Sequence, residues 1–234
     1  MRYWLVMPAA GAGRRFGERL PKQYVEIHGR TVLEWALKPF VSDTRCAGIT
    51  LALAAGDSHW PRLAARGLPG VQTVLGGAER GHSVEAALRA LAGRAEPEDW
   101  VLVHDAARPC LPVADLERLL ATAAEHPVGA VLAAPLADTL KRAQADGSIE
   151  GTIDRSGLWR ALTPQMFRYQ ALRAALGAAL AAGRLPTDEA QALEWQGAQP
   201  LLVPGSAANV KITTAEDLIL ARALLAARQQ GAPA

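Results

Sequence analysis

Near the N-terminus, Pro8-Ala9-Ala10-Gly11-Ala12-Gly13-Arg14-Arg15-Phe16-Gly17 runs into Leu20-Pro21-Lys22-Gln23-Tyr24. Glycines and small residues let a backbone approach a polyanion closely and aim its N–H groups at it. Arg14, Arg15 and Lys22 add positive charge to the same loop, a combination that suits a triphosphate. Neither common phosphate loop is matched. A dinucleotide fingerprint wants glycine or alanine where Phe16 stands. A Walker loop follows its lysine with serine or threonine, whereas Lys22 is followed by Gln23. On glycine spacing alone, a surface turn with basic decoration reads equally well; the arginine pair and the Pro-Lys-Gln continuation favour the phosphate reading.

The elements that must position this loop alternate. Strand-like apolar runs fall at Tyr3–Met7, Ile49–Ala54, Val71–Leu75, Val101–His104, Ala130–Ala134 and Leu201–Pro204, with a short one at Asn209–Ile212. Helical spacing marks Thr31–Phe40, Ser83–Leu91 (with Ser83 as N-cap), Leu116–Ala124, Phe167–Ala182, Thr187–Trp195 and a last helix from Thr214, where Thr213 and Glu216 form a capping-box pattern. Alternation of this kind predicts βαβ units, a mostly parallel sheet and ligands at the carboxyl ends of its strands. The loops after Met7, Leu75 and His104 are therefore where chemistry is expected. The stretch 135–159 differs: two polar arms flank an Asp146-Gly147 turn, which predicts a hairpin too polar to stand alone and leaning on something, a partner subunit being one candidate.

Composition bounds the function. The chain has 234 residues, of which 50% are hydrophobic and 21% charged, enough apolar material for one large domain with a core. A net charge of only +2 argues against a nucleic-acid binder working through a general basic field. Lys22, Lys38, Lys141 and Lys211 are the only lysines. Cys46 and Cys110 make neither a disulfide framework nor a metal pattern. No run is long and apolar enough for a membrane span, and the N-terminus lacks a leader pattern, so a cytoplasmic protein is expected.

The glycine loop and its Pro21-Lys22-Gln23-Tyr24 continuation resemble the signature of the 2-C-methyl-D-erythritol 4-phosphate cytidylyltransferase family. The resemblance continues in register through Gly76-Gly77-Ala78-Glu79-Arg80 with Ser83, Val101–Pro109, Asp138–Arg142, Asp154–Trp159, Leu162–Gln165, Thr187–Ala190 and Asn209–Thr213. It implies a Rossmann-like nucleotidyltransferase fold of the α/β class, with a twisted, mostly parallel sheet. It also implies one domain over residues 1–234, with 135–159 as a protruding β-arm exchanged in a homodimer. The implied reaction takes CTP and 2-C-methyl-D-erythritol 4-phosphate to 4-diphosphocytidyl-2-C-methyl-D-erythritol and pyrophosphate, in the non-mevalonate route to isoprenoids, with Mg²⁺ as the divalent cation. Neither nucleic acid nor membrane enters as a partner.

Residue by residue, the resemblance implies that Arg15 and Lys22 stabilise the transition state. Ala9, Ala10, Gly11, Gly13, Gly77, Ser83, Asp105 and Ala106 match the CTP pocket. Asp105 follows a buried strand, where a carboxylate can hold Mg²⁺ or a substrate hydroxyl, although aspartate also favours helix caps. Arg108, Thr139, Thr163 and Thr187 match substrate contacts, and Arg155 and Lys211 match the groups that hold the attacking phosphate. Arg155 and Thr139 lie on the arm and would serve the neighbouring subunit. His104 reads as a structural histidine and Cys110 as a packed residue. Ala78 departs from the aspartate that many relatives carry, which bears on one polar contact near the nucleoside. The alternatives are a cytidylyltransferase for another polyol phosphate such as ribitol 5-phosphate, and a nucleotide-binding regulator without catalysis. A Rossmann dehydrogenase is disfavoured by the loop.

Overall fold

A computed structural model describes residues 1–11, 20–64, 67–68 and 70–231. In chain order the strands are β1 (Tyr3–Ala9), β2 (Glu26–Ile27), β3 (Arg30–Thr31), β4 (Cys46–Leu53), β5 (Val71–Leu75), β6 (Trp100–Val103), β7 (Gly129–Pro135), β8 (Leu140–Ala143), β9 (Ile149–Ile153), β10 (Trp159–Arg168) and β11 (Leu201–Pro204). The helices are α1 (Val32–Val41), α2 (Trp60–Ala64), α3 (Arg80–Arg89), α4 (Val113–Ala124), α5 (Tyr169–Ala181), α6 (Glu189–Glu194) and α7 (Ala215–Gln229), and a 3-10 turn covers Lys22–Tyr24.

Seven strands form the central sheet in the order β11-β7-β10-β6-β1-β4-β5. All run parallel except β10, which is antiparallel to both β6 and β7. The side-chain period of two sorts the sheet onto two helical layers. Tyr3, Leu5 and Met7 of β1 join Leu33, Leu37 and Phe40 of α1 and Leu116, Leu119 and Leu120 of α4 on one face. Trp4 and Val6 join Val84 and Leu88 of α3 and Leu172 and Leu176 of α5 on the other. A smaller cluster docks α7 through Leu218, Ala221 and Leu225 against Trp35, Cys110 and Ile212. The mostly parallel α/β sheet expected from the alternation is present.

Four local expectations are corrected. Phe167 and Arg168 close strand β10, and the helix begins only at Tyr169. Asn209–Ile212 is an irregular loop, held by Ile212 N–H donating to Ala107 O at 2.8 Å. The last helix starts one residue later than read: Thr214 caps Asp217 N–H, and Asp217 returns to the cap backbone. Ser83 lies inside α3, whose N-cap is Glu79.

β8 and β9 form a two-stranded sheet apart from the main one, paired Leu140 to Ile153, Lys141 to Thr152 and Arg142 to Gly151. At its tip Gly147 takes φ +85°, and Asp146 Oδ1 accepts from Ser148 N–H at 2.9 Å. This is the Asp146-Gly147 turn that the sequence predicts.

Candidate active site

Three loops leave the carboxyl ends of parallel strands and meet: Ala10-Gly11 after β1, Gly76–Glu79 after β5 and His104–Ala107 after β6. The chain crosses from β1 to β4 on one side and returns to β6 on the other, so this edge is the topological switch point of the sheet. Together with Lys22, Gln23, Arg80, Ser83 and Lys211 these loops enclose a cavity of about 250 Å³. A larger cavity, of about 850 Å³ and lined by Trp35, Pro39, Val113, Leu225 and others, contains none of the expected site residues.

The walls are tied by side chain to backbone bonds. Buried Gln23 donates to Ala9 O at 2.9 Å and to Gly11 O at 3.4 Å, which holds the start of the glycine loop against the 3-10 turn and thereby places Lys22. Lys22 Nζ donates to Ile212 O at 2.6 Å, next to Lys211 in sequence. On the opposite wall, Ser83 Oγ accepts from Gly77 N–H at 3.1 Å, so this hydroxyl shapes the Gly76-Gly77 loop. A Cβ on Gly76 would sit 2.5 Å from Ala10 Cβ and 2.9 Å from Ser83 Oγ, so a glycine is what lets the β5 loop close on the β1 loop.

Asp105 is the electrostatic centre. It is 5% exposed and faces three cations: Arg80 Nε lies 2.9 Å from Oδ1, Lys211 Nζ 2.9 Å from Oδ2 and Arg108 Nε 3.4 Å from Oδ2. Burial alone would raise its pKa, but Arg80, Lys211 and Arg108 together outweigh that and hold the carboxyl well below the usual range. Asp105 is therefore a permanent carboxylate. Beneath it, Thr163 Oγ1 accepts from Asp105 N–H at 3.1 Å and bonds His104 Nδ1 at 3.0 Å. His104 is fully buried, its ring 5.3 Å from that of Phe40, and burial pushes its pKa down to about 4. It is a neutral structural residue. Asn209 Nδ2 donates to Thr163 O at 2.7 Å, and Arg108 donates to Asn209 O at 2.7 Å, so the loop before α7 is anchored to the same floor.

The structure thus gathers Ala9, Ala10, Gly11, Lys22, Gly77, Ser83, Asp105, Ala106 and Lys211 around one cavity. Arg108 and Thr163 touch Asp105 without lining the cavity. Thr139, Arg155 and Thr187 are exposed and do not line it; Arg155 donates to Ala137 O at the base of the hairpin, and Thr187 N–H to Gln191 Oε1 at 2.8 Å. Gly13, Arg14 and Arg15 lie outside the described residues. Two residues with no role assigned from the sequence stand out. Arg80 lines the cavity, and buried Glu189 grips it. Arg80 sits inside a quoted segment, but only the fold reveals its carboxylate partners.

Residues 3–227 match the family model described as 2-C-methyl-D-erythritol 4-phosphate cytidylyltransferase. The chain belongs to that family. It is 53% identical to the cytidylyltransferase of that name from Halorhodospira halophila over 97% of this chain and 96% of the relative. It is likewise 53% identical to that from Ectopseudomonas mendocina over 93% of each chain. Among solved structures it is similar to a 4-diphosphocytidyl-2C-methyl-D-erythritol synthase, with TM-score 0.84 and 39% identity over 96% of this chain and 99% of the other. It is also similar to the Francisella tularensis cytidylyltransferase, with TM-score 0.82 and 31% identity over 96% and 100%. Membership makes the chain a nucleotidyltransferase of the isoprenoid pathway.

For a cytidylyltransferase the charge arrangement is apt. Lys22, Arg80 and Lys211 line the cavity against Glu79 and Asp105. Among the described residues no group of three or more His, Cys, Asp or Glu is placed to hold a metal ion. Mg²⁺ needs no such cage, because it is commonly bound by one or two carboxylates plus substrate phosphates. Among the described residues Asp105 Oδ1 accepts from Arg80 alone, which leaves it a second acceptor direction. The donor set fits a metal shared with a triphosphate. Among the described residues no helix is long and apolar enough to cross a membrane.

Proposed function

We propose that this cavity is where the cytidylyl group changes hands, from CTP to 2-C-methyl-D-erythritol 4-phosphate. A phosphate oxygen of the acceptor bonds to the α-phosphorus of CTP, and the bond from that phosphorus to the bridging oxygen of the β-phosphate breaks. Pyrophosphate leaves with the bonding pair. The acceptor is already an anion, so no strong base is required, and the work is positioning and charge neutralisation. Lys22 faces the phosphates from the glycine loop, and the resemblance adds Arg15 beside it. Lys211 would hold the acceptor phosphate together with Arg155 of the arm, and the resemblance adds Arg108, which pairs with Asp105 and Asn209 O behind the cavity wall, as a further acceptor contact. Asp105 would hold Mg²⁺, which supplies charge neutralisation to the triphosphate when bound. The single observation carrying this reading is the convergence of Lys22, Lys211 and Asp105 on a loop of small residues at the switch point.

The same reading takes the chain as one nucleotidyltransferase domain with 135–159 as an arm, acting in the cytoplasm as a homodimer. Thr139 and Arg155 then complete the neighbour's site. Support comes from the exposed apolar side chains of the arm and its base, Ile149, Leu158 and Trp159, which a partner would cover.

Pyrophosphate release is the test. With CTP and Mg²⁺, 2-C-methyl-D-erythritol 4-phosphate should give rapid release, ribitol 5-phosphate slow release and no acceptor none. Faster release with ribitol 5-phosphate would reassign the acceptor, and no release with either would refute the catalytic reading.

A further inference from the structure

Glu189 is a buried carboxylate outside the cavity, 1% exposed. Burying a carboxylate is costly unless it is paired and hydrogen-bonded. Its partner is Arg80, in a two-bond fork: NH1 to Oε1 at 2.6 Å and NH2 to Oε2 at 3.0 Å. That fork uses both terminal nitrogens of the guanidinium and leaves Nε, which donates to Asp105 Oδ1 at 2.9 Å. The chain of charges therefore alternates, from Glu189 to Arg80 to Asp105 to Lys211, and spans α6, α3, the β6 loop and the loop before α7.

The position of Glu189 is itself locked. Buried Gln165 of β10 donates to Asp188 Oδ2 at 2.8 Å and accepts from Ala190 N–H at 3.0 Å. Asp188 Oδ1 meanwhile accepts from Gln191 N–H at 2.9 Å. Both neighbours of Glu189 are thus pinned to the sheet or to the first turn of α6, and Glu189 cannot follow Arg80 if that arginine moves.

We infer that Glu189 is a positioning residue which, by holding both ends of the Arg80 fork, limits how much Arg80 neutralises Asp105 and so leaves Asp105 available to a divalent cation. With Glu189 uncharged, the terminal nitrogens of Arg80 are released beside the cavity. They gain freedom to pair with Asp105 and with bare phosphates. The site then favours metal-free nucleotide and disfavours the metal-bound one. This rests on the reading of the cavity as the CTP site.

The experiment is calorimetric titration of CTP, in excess Mg²⁺ and in EDTA, into wild type, Glu189→Gln, Arg80→Gln and the double variant. In wild type, Mg²⁺ should tighten binding. In Glu189→Gln the ratio of the EDTA to the Mg²⁺ dissociation constant should fall by about tenfold, within the range of couplings seen inside one ion-pair network. In the Arg80→Gln background the further change to Gln at 189 should leave that ratio unaltered. Equal weakening under both conditions, or an unchanged ratio, would make Glu189 only a brace for α6 and overturn the inference. So would the same fall persisting without Arg80. If Glu189→Gln does not fold, Glu189→Asp keeps the charge and shortens the reach, and its ratio must fall in the same direction or the inference fails. Wild type that binds no CTP at all overturns the functional reading, and this inference with it.

Discussion

The wall around Asp105 and the β8–β9 hairpin carry polar groups in opposite ways. Around Asp105 opposite charges meet: buried Arg108 and half-buried Arg80 and Lys211 converge on one buried carboxylate, and Thr163, His104 and Asn209 brace it from below. The hairpin has two strands and an exposed surface, with Lys141 Nζ donating across to Thr152 Oγ1 at 2.6 Å where water competes. The first region is organised before any ligand arrives, as electrostatic catalysis requires. The second is two strands with mostly exposed side chains, too little to be stable by itself. Lys211 and Asp105 are thus set by the main fold, whereas Thr139 and Arg155 sit on or beside a two-stranded element apart from the main sheet.

The first region is most vulnerable at Asp105. Asp105→Ala should cost about 3–5 kcal/mol of stability, the range for removing one partner from a buried ion pair. Urea denaturation checks it; a loss under 1 kcal/mol would mean the cluster is solvated. Acid should attack the same wall. His104 binds its proton at about 4 when folded and near 6.5 when unfolded, so between those values the unfolded chain holds more protons. Stability should therefore fall as pH drops from 6.5 to 4, by up to about 3 kcal/mol from this histidine. Denaturation midpoints at a series of pH values would show it, and flat midpoints would contradict it. Lys22→Ala should lower kcat by about 10² or more with the fold intact, the loss seen when one donor to a developing oxyanion is removed.

On the hairpin the effects should be smaller and should fall on the acceptor. Arg155→Ala should raise the KM for the sugar phosphate about tenfold and leave that for CTP nearly unchanged, the size of one lost charge-assisted bond. An unchanged acceptor KM would remove Arg155 from the site. Mixed dimers test the exchange itself: Lys22→Ala and Arg155→Ala chains, each impaired, should regain activity together if the arm is exchanged, because one site then has both wild-type residues. Smallest is Gly147→Ala, which forces a side chain to φ +85° at about 1 kcal/mol. It should loosen the turn while the melting temperature of the main sheet stays put.

The sheet and the nucleotide loops were legible because continuous apolar runs such as Tyr3–Met7 and Val101–Val103 announce buried parallel strands. Strand β10 was not. Pro164 interrupts it, a signal that normally argues against a central strand; here the ladder skips between Ala161 and Gln165, so the proline sits where the pairing is irregular. Ser83 carries the composition of an N-cap, yet its hydroxyl turns back to Gly77 N–H from inside the helix, a tertiary choice that local pattern does not encode. The charge chain that runs from Glu189 through Arg80 and Asp105 to Lys211 was illegible for a stronger reason. Arg80, Glu189 and Lys211 are far apart in sequence, and only the closure of four elements on one edge joins them.

Co-crystallisation with CTP and Mg²⁺ would show whether the nucleotide occupies the cavity at the switch point. The triphosphate should lie within hydrogen-bond distance of the Ala10-Gly11 backbone and Lys22, with Lys211 beside the α-phosphate. Nucleotide found instead in the larger cavity between Trp35 and Leu225, with Lys22 and Asp105 remote from every phosphate, would contradict the account.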